Sequence, residues 1–373
     1  MPRVMNIKDK LHQQFVVDRI KKTNWHKGSS APLVVEFDTT EVCNLACPGC
    51  ISEDLICNKT SFSKERLLEI ASEMYEAGVK AVILIGGGEP LAHPAVGDFM
   101  DYLGKHDIRI GITTNGCFID RYMDVISEYA SWTRVSMDAG TPEGFFKLRP
   151  TKTGRNEFEH IVSNMRELGK RKKGKMGYSF LIRTKKDGFG LESNIDEMYG
   201  AAVLAKELNC DYFEVKPSYS YAGGQNHALV IHDKTDMIHA KQEVCKLDAL
   251  ESDTFKIIKA INLSDSLNCV EQFQDKYYHI CPVAELRTLV TPSGAYICPY
   301  WRGKEKFCIG NLHNTSFSDV WHSDRRREVM SFCDPSRRCT FHCLRHLSNL
   351  EILELIGTPT EDIEIVDEYD RFI

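Results

Sequence analysis

No stretch of this chain stays apolar for the roughly 20 residues that a bilayer-spanning helix needs. The N-terminal run MPRVMNIKDKLHQQF lacks the apolar core of a signal peptide, so the expected location is the cytoplasm. Charge of one sign is also missing. Lys and Arg number 47 against 53 Asp and Glu, a net of −6, so neither nucleic acid nor a membrane surface is expected as a partner. Internal repeats and low-complexity tracts are absent. What remains is the composition of a soluble globular protein, 42% hydrophobic and 27% charged, and 373 residues are enough for two domains with a real core.

Cysteine is the exception to this ordinariness. Fourteen occur, and in a reducing compartment a rich cysteine set points to metal or catalysis rather than disulfides. Cys43, Cys47 and Cys50 crowd onto one short segment, and a second group runs from Cys281 to Cys343. Cys57, Cys117, Cys210 and Cys245 sit singly and read as small buried hydrophobes.

Strand-like and helix-like stretches alternate between residues 33 and 217. Expected strands are 33–40, 81–86, 108–115, 133–138, 178–183 and 211–217. The helices between them fall near 64–77, 95–104, 119–129, 156–170 and 194–207. Strands joined by helical crossovers make a parallel sheet, and six units suit a partial (β/α)6 barrel in an α/β fold. Ligands of such sheets bind at the carboxyl ends of the strands, which is where the first cysteines fall. The expected divisions are an N-terminal extension (1–32), the barrel (33–217), a helical connector (218–275), a small cysteine-rich α+β domain (276–346) and a C-terminal tail (347–373). The apolar Ile363, Ile365, Val366, Tyr369, Phe372 and Ile373 favour a tail packed back on the barrel. The run 169–175 reads as a solvated loop.

The first cysteines have the spacing C-x3-C-x2-C. Three thiolates can hold three corners of a four-iron cluster and leave one iron open to a chelating small molecule. A structural zinc site would need paired knuckles or histidines, and no histidine lies near. Gly86, Gly87, Gly88, Glu89 and Pro90 follow the second strand. Glycines let backbone come close to a ligand, and a carboxylate can pair with an ammonium.

Taken together, these motifs resemble the radical S-adenosylmethionine superfamily. The resemblance implies a [4Fe-4S] cluster on Cys43, Cys47 and Cys50 that binds S-adenosylmethionine. It further implies reductive cleavage of that cofactor to methionine and a 5′-deoxyadenosyl radical, which takes a hydrogen atom from the substrate, and an electron donor of flavodoxin or ferredoxin type. Cofactor contacts would come from Gly86, Gly87, Gly88 and Glu89, with the Glu89 carboxylate on the amino group. Asn115, Ser136, Asp138 and Arg183, at later strand ends, would contact the ribose and methionine parts. The residue before the third cysteine is Gly49, where the family often has an aromatic, so adenine stacking is expected from elsewhere.

Cys281 and Cys298 flank a hairpin that turns at Pro292-Ser293-Gly294. With IGNL (309–312) and the C-x5-C-x3-C ending, this resembles the SPASM/twitch extension. One auxiliary [4Fe-4S] cluster is implied, on Cys281, Cys298, Cys343 and a fourth ligand, Cys339 ahead of Cys333 or Cys308. A second auxiliary cluster is not expected, because Met330 replaces one cysteine and none follows Cys343. His342 and His346 read as surface residues. Only about 33 residues precede the first strand, too few for a peptide-binding module, so a small polar substrate is expected: a sugar or aminocyclitol undergoing dehydrogenation, epimerisation, dehydration or decarboxylation. Glu214, Lys216, Tyr300 and Arg302 are the candidate catalytic side chains, and Tyr178 could hydrogen-bond a hydroxyl. The alternatives are a peptide- or protein-modifying SPASM maturase, including a sulfatase-activating type, and a zinc-stabilised binding protein without catalysis.

Overall fold

Each apolar run between turn residues becomes a strand, and each amphipathic stretch becomes a helix laid over it. The computed structural model describes residues 6–185, 192–220, 228–229, 233–270, 275–339 and 343–373; His342 lies outside them. Six parallel strands carry the barrel: β1 (Val34–Phe37), β2 (Ala81–Leu84), β3 (Arg109–Thr114), β4 (Ala130–Ser136), β5 (Lys175–Leu181) and β6 (Tyr212–Lys216). Crossover helices cover their outer face. The Lys64–Glu76 helix starts on the Ser63 cap, whose Oγ accepts from the Arg66 amide at 3.1 Å, and ends before Gly78 at φ +81°. Its Leu67, Ile70 and Met74 are fully buried, and each such burial contributes about 1.5–3 kcal/mol.

The sheet runs on beyond both edges of the expected six strands. Within the stretch expected to be a helical connector, Lys256–Lys259 forms β7, parallel to β6. On the other side β8 (Arg287–Thr291) pairs parallel with β1, and β9 (Gly294–Tyr296) and β10 (Cys308–Gly310) follow antiparallel. The hairpin of the cysteine-rich segment is thereby fused to the barrel as one ten-stranded sheet. Both β4 and β5 begin three residues earlier than the hydrophobic pattern marks. In β4 the reason is Trp132, which points into the barrel and meets the Phe372 ring edge-on at 5.4 Å.

Side chains alternate along each strand, so every strand has an outward and an inward set. Val35, Phe37, Val82, Leu84, Ile110, Ile112, Val135, Tyr178, Phe180 and Phe213 pack outward against the helices. Tyr178 is fully buried there and donates to the Ala139 carbonyl, so it does not face a substrate space. Inward residues at the amino ends of the strands join a second apolar cluster with the Gln14–Lys22 helix and the C-terminal tail. The tail is held by Lys10–Asp370 (2.7 Å) and by the Tyr369 amide on Gln13 (2.9 Å), and Ile363, Phe372 and Ile373 are buried. The barrel is therefore floored at its amino end, and the loops at the opposite end carry the site.

Candidate functional site

The segment after β1 turns sharply and brings Cys43, Cys47 and Cys50 to the carboxyl end of the barrel. The Cys50 amide donates to the Cys47 carbonyl at 3.2 Å, closing the loop. Burial raises all three thiols, Cys43 to about 12, so ligation here releases protons. Two side chains reach the sulfurs. Asn115 Nδ2 lies 4.0 Å from Cys43 Sγ and donates to Asn44 Oδ1 at 2.8 Å, and Arg149 lies 3.9 Å from Cys47 Sγ.

The Gly86–Gly88 turn packs directly under this loop. A Cβ on Gly88 would stand 2.3 Å from the Val42 carbonyl oxygen, and one on Gly87 would stand 2.8 Å from Asp38 Oδ2, so both positions need glycine. The Glu89 amide donates to Val42 O at 2.9 Å, tying the two loops together. The Glu89 carboxylate, expected to meet the cofactor's amino group, is also engaged within the protein. It is buried and accepts from Thr114 Oγ1 (2.6 Å), the Asn115 amide (2.7 Å) and the Leu91 amide (3.1 Å). Burial pushes it up to about 7. A buried carboxylate recruits local donors, and here it holds the β2 loop to the end of β3. Three other oxygens beside Gly87 have no hydrogen-bond partner among the described residues: Asp38 Oδ2 and both oxygens of Glu41, on fully buried side chains that the sequence reading missed. Buried acceptors next to a backbone cradle match a cationic donor, and an ammonium meets that demand.

The remaining strand-end residues are brought to the same face, with differing engagement. Asp138, at φ +59°, accepts from Arg149 Nε at 3.0 Å and from the Leu181 amide at 2.8 Å. Ser136 ends β4 half-buried, opposite Ser179. Arg183 is buried, and its amide donates to Asn194 Oδ1 at 2.8 Å. Arg149 and Asn194, which brace Asp138 and this loop, carry no sequence signal beyond lying between strands.

In the second cysteine group, Cys281, Cys298, Cys333, Cys339 and Cys343 line a cavity of about 40 Å³. Lys276, Arg287 and Arg345 line it too, giving cationic walls suited to an anionic cluster. Burial raises Cys281 to about 12. Cys308 does not line the cavity; its thiol donates to Gly310 O at 3.3 Å on β10. Among the described residues no three His, Cys, Asp or Glu side chains close around a single ion, so the thiols ring a space rather than a point. His346 is packed against Tyr278, with Nδ1 3.1 Å from its hydroxyl. Of the candidate catalytic residues, Tyr300 belongs to this cavity, its hydroxyl accepting from the Leu344 amide at 3.2 Å. Arg302 instead reaches back to the first site, 3.2 Å from Asp38 and 3.3 Å from Ser52 Oγ. Glu214 and Lys216 lie together inside the barrel, 3.8 Å apart. No described helix is long and apolar enough to cross a membrane.

Comparison with known proteins accords with this geometry. Residues 37–185 match the family model of the radical SAM superfamily, and residues 281–344 match SPASM, an iron-sulfur cluster-binding domain. The mycofactocin maturase MftC of Mycolicibacterium smegmatis is 23% identical over 321 residues, covering 82% of this chain and 74% of that protein. The antilisterial bacteriocin subtilosin biosynthesis protein AlbA of Bacillus subtilis is 20% identical, over 84% of this chain and 64% of that one. Streptococcus suis SuiB, solved with its precursor peptide SuiA, superposes with a TM-score of 0.61 at 16% identity, over 85% of this chain and 71% of that one. These matches overturn the expectation of a sugar or aminocyclitol as small-molecule partner, since the relatives are a mycofactocin maturase, a bacteriocin biosynthesis protein and a protein solved with its precursor peptide. That expectation took substrate size from the few residues before β1. A count of residues before β1 says nothing of what the barrel interior admits.

Proposed function

The chain belongs to the radical SAM superfamily and carries a SPASM-type auxiliary domain, and on that premise we propose that it is an enzyme that modifies a peptide by radical chemistry. The observation that carries this reading is the span of the maturase likeness, which runs through the barrel and the auxiliary domain together. Cys43, Cys47 and Cys50 would hold the N-terminal cluster. The Gly86–Gly88 backbone, with Asp38 and Glu41 behind it, would receive the charged methionine end of the cofactor. Bound there, the cluster and S-adenosylmethionine would supply one-electron reductive cleavage and hydrogen-atom abstraction from the peptide.

The chain's own residues position and shield. Glu89 fixes the β2 loop on β3, Asn115 steadies the cysteine loop, and the Asp138–Arg149 pair sets the β4 end beside Cys47. Ser136 and Arg183 complete the strand-end rim for the ribose and methionine groups. One auxiliary cluster would sit in the second cavity, on Cys281, Cys298, Cys343 and Cys339, with Cys333 beside Cys339. Arg302 joins the two centres, since it lies four residues after Cys298 and pairs with Asp38.

The test is anaerobic reconstitution with iron and sulfide, reduction with dithionite, and analysis of 5′-deoxyadenosine made in the presence of deuterated precursor peptides. Deuterium carried from a peptide residue into 5′-deoxyadenosine is the expected result. Turnover of S-adenosylmethionine that no peptide accelerates or labels would overturn the reading.

A further inference from the structure

Along the inner wall of the barrel, up to Lys216 at the carboxyl end of β6, runs a charged cluster to which neither cofactor site has been assigned. Thr113, Arg134, Glu214 and Lys216 lie on the inward-facing positions of β3, β4 and β6. The Arg134 guanidinium donates to Glu214 Oε2 at 3.0 Å and to Thr113 Oγ1 at 3.2 Å, and Lys216 Nζ stands 3.8 Å from the same Glu214 oxygen. Gly177, next to Arg134 in register on β5, lets the Tyr212 ring lie across it, since a Cβ there would be 2.0 Å from that ring.

Two cations thus share one carboxylate, leaving one surplus positive charge at Glu214; the neighbouring Glu36 is already held by Arg287 and Arg345, and Asp138 by Arg149. Two donors are also left over: among the described residues, Arg134 Nε and the hydroxyl of Ser179 are buried without a hydrogen-bond partner. Ser179 is 1% exposed and pairs in register with Glu214, so it shares the inward face. The cations nevertheless keep 25% and 27% of their side-chain surface open, although burial lowers Lys216 to about 8. Partly open cations on an inward-facing wall, with unspent donors beside them, can take an anion.

We propose that Lys216, Arg134 and Ser179 form a carboxylate-binding site for the substrate, on the inner wall beside the cofactor loops. One surplus charge and a planar guanidinium suit a monoanionic carboxylate better than a phosphate dianion. This rests on the peptide reading above, and the carboxylate would be either a chain terminus or an acidic side chain.

The test is the rate at which an amine-reactive reagent labels Lys216 near pH 8, read by peptide mass spectrometry on the full-length, cluster-loaded protein. The added probes are a blocked Ala-Gly-Ala peptide with a free C-terminus, its C-terminal amide, blocked Ala-Asp-Ala amide, succinate, and S-adenosylmethionine alone. One of the acidic peptides should slow labelling about tenfold relative to the neutral amide, as a charge-assisted pair predicts. The peptide that protects identifies the terminus or the side chain as the group bound. Arg134→Gln should leave Lys216 reactive and remove most of that protection. Equal labelling with acidic and neutral peptides and with succinate overturns the site. Full protection by S-adenosylmethionine alone also overturns it, because the carboxylate bound would be the cofactor's. Protection by succinate and by neither acidic peptide keeps the site and overturns the peptide reading beneath it.

Discussion

Replacing Gly88 by Ala tests the claim that the glycine turn and the cysteine loop form one unit. The added Cβ would meet the Val42 carbonyl oxygen at 2.3 Å and the backbone carbons of Glu41 and Val42 at 2.7 Å. These are main-chain atoms that cannot rotate away, so either the turn or the residues leading into Cys43 must move. Overpacking of this kind costs about 1–3 kcal/mol, and losing the Glu89–Val42 hydrogen bond (2.9 Å) adds about 1 kcal/mol. The expected destabilisation is therefore about 2–4 kcal/mol, read from urea unfolding of the metal-free chain. The displacement falls next to Cys43, so the reconstituted variant should lose the iron of the N-terminal cluster, retain that of the auxiliary one, and make no 5′-deoxyadenosine. Gly200→Ala is the control. It lies in the Met198–Glu207 helix with nothing within 4 Å of the new Cβ, and it should stabilise by about 0.5–1 kcal/mol. Full iron content and undiminished cofactor cleavage in Gly88→Ala would refute the coupling of the two loops.

Arg302→Gln removes the partner of Asp38 in a pair whose side chains are 9% and 0% exposed, and should cost about 3–5 kcal/mol in urea unfolding. Adding Asp38→Asn should recover a large part of that loss, and no recovery would mean that the pair is not what Arg302 supplies. Burial holds Glu89 at about 7 and Asp38 at about 6, both above their ordinary carboxylate values, so the folded metal-free chain binds protons that the unfolded chain has released. Their stabilising contribution is full below about pH 4 and is lost as pH rises to about 7; unfolding titrations should show that fall, and Glu89→Gln should flatten its upper part. At the auxiliary site, Cys298→Ser should lose one cluster by iron analysis and electron paramagnetic resonance. Cys308→Ser should lose none, because its thiol is spent on Gly310 outside the cavity.

The parts of this protein written in local sequence are those set by short-range chemistry. The spacing of Cys43, Cys47 and Cys50 brings three thiols onto one loop whatever surrounds it. Glycines at 86–88 mark a close backbone approach because no other residue fits there, and the 2.0 and 3.6 periodicities mark the six strands and their helices. Tertiary structure decided what depends on residues far apart in the chain. Fusion of the auxiliary hairpin to β1 joins segments about 250 residues apart in sequence, and β7 is a strand because β6 offers it an edge. The roles of polar residues were likewise open until their neighbours were known. Glu89 is engaged by Thr114 and Asn115, leaving Asp38 and Glu41 with the open oxygens, and Tyr178 faces outward while Glu214 and Lys216 face in. A carboxylate or hydroxyl has the same chemistry wherever it lies, and only the fold determines which donors, charges and solvent it meets.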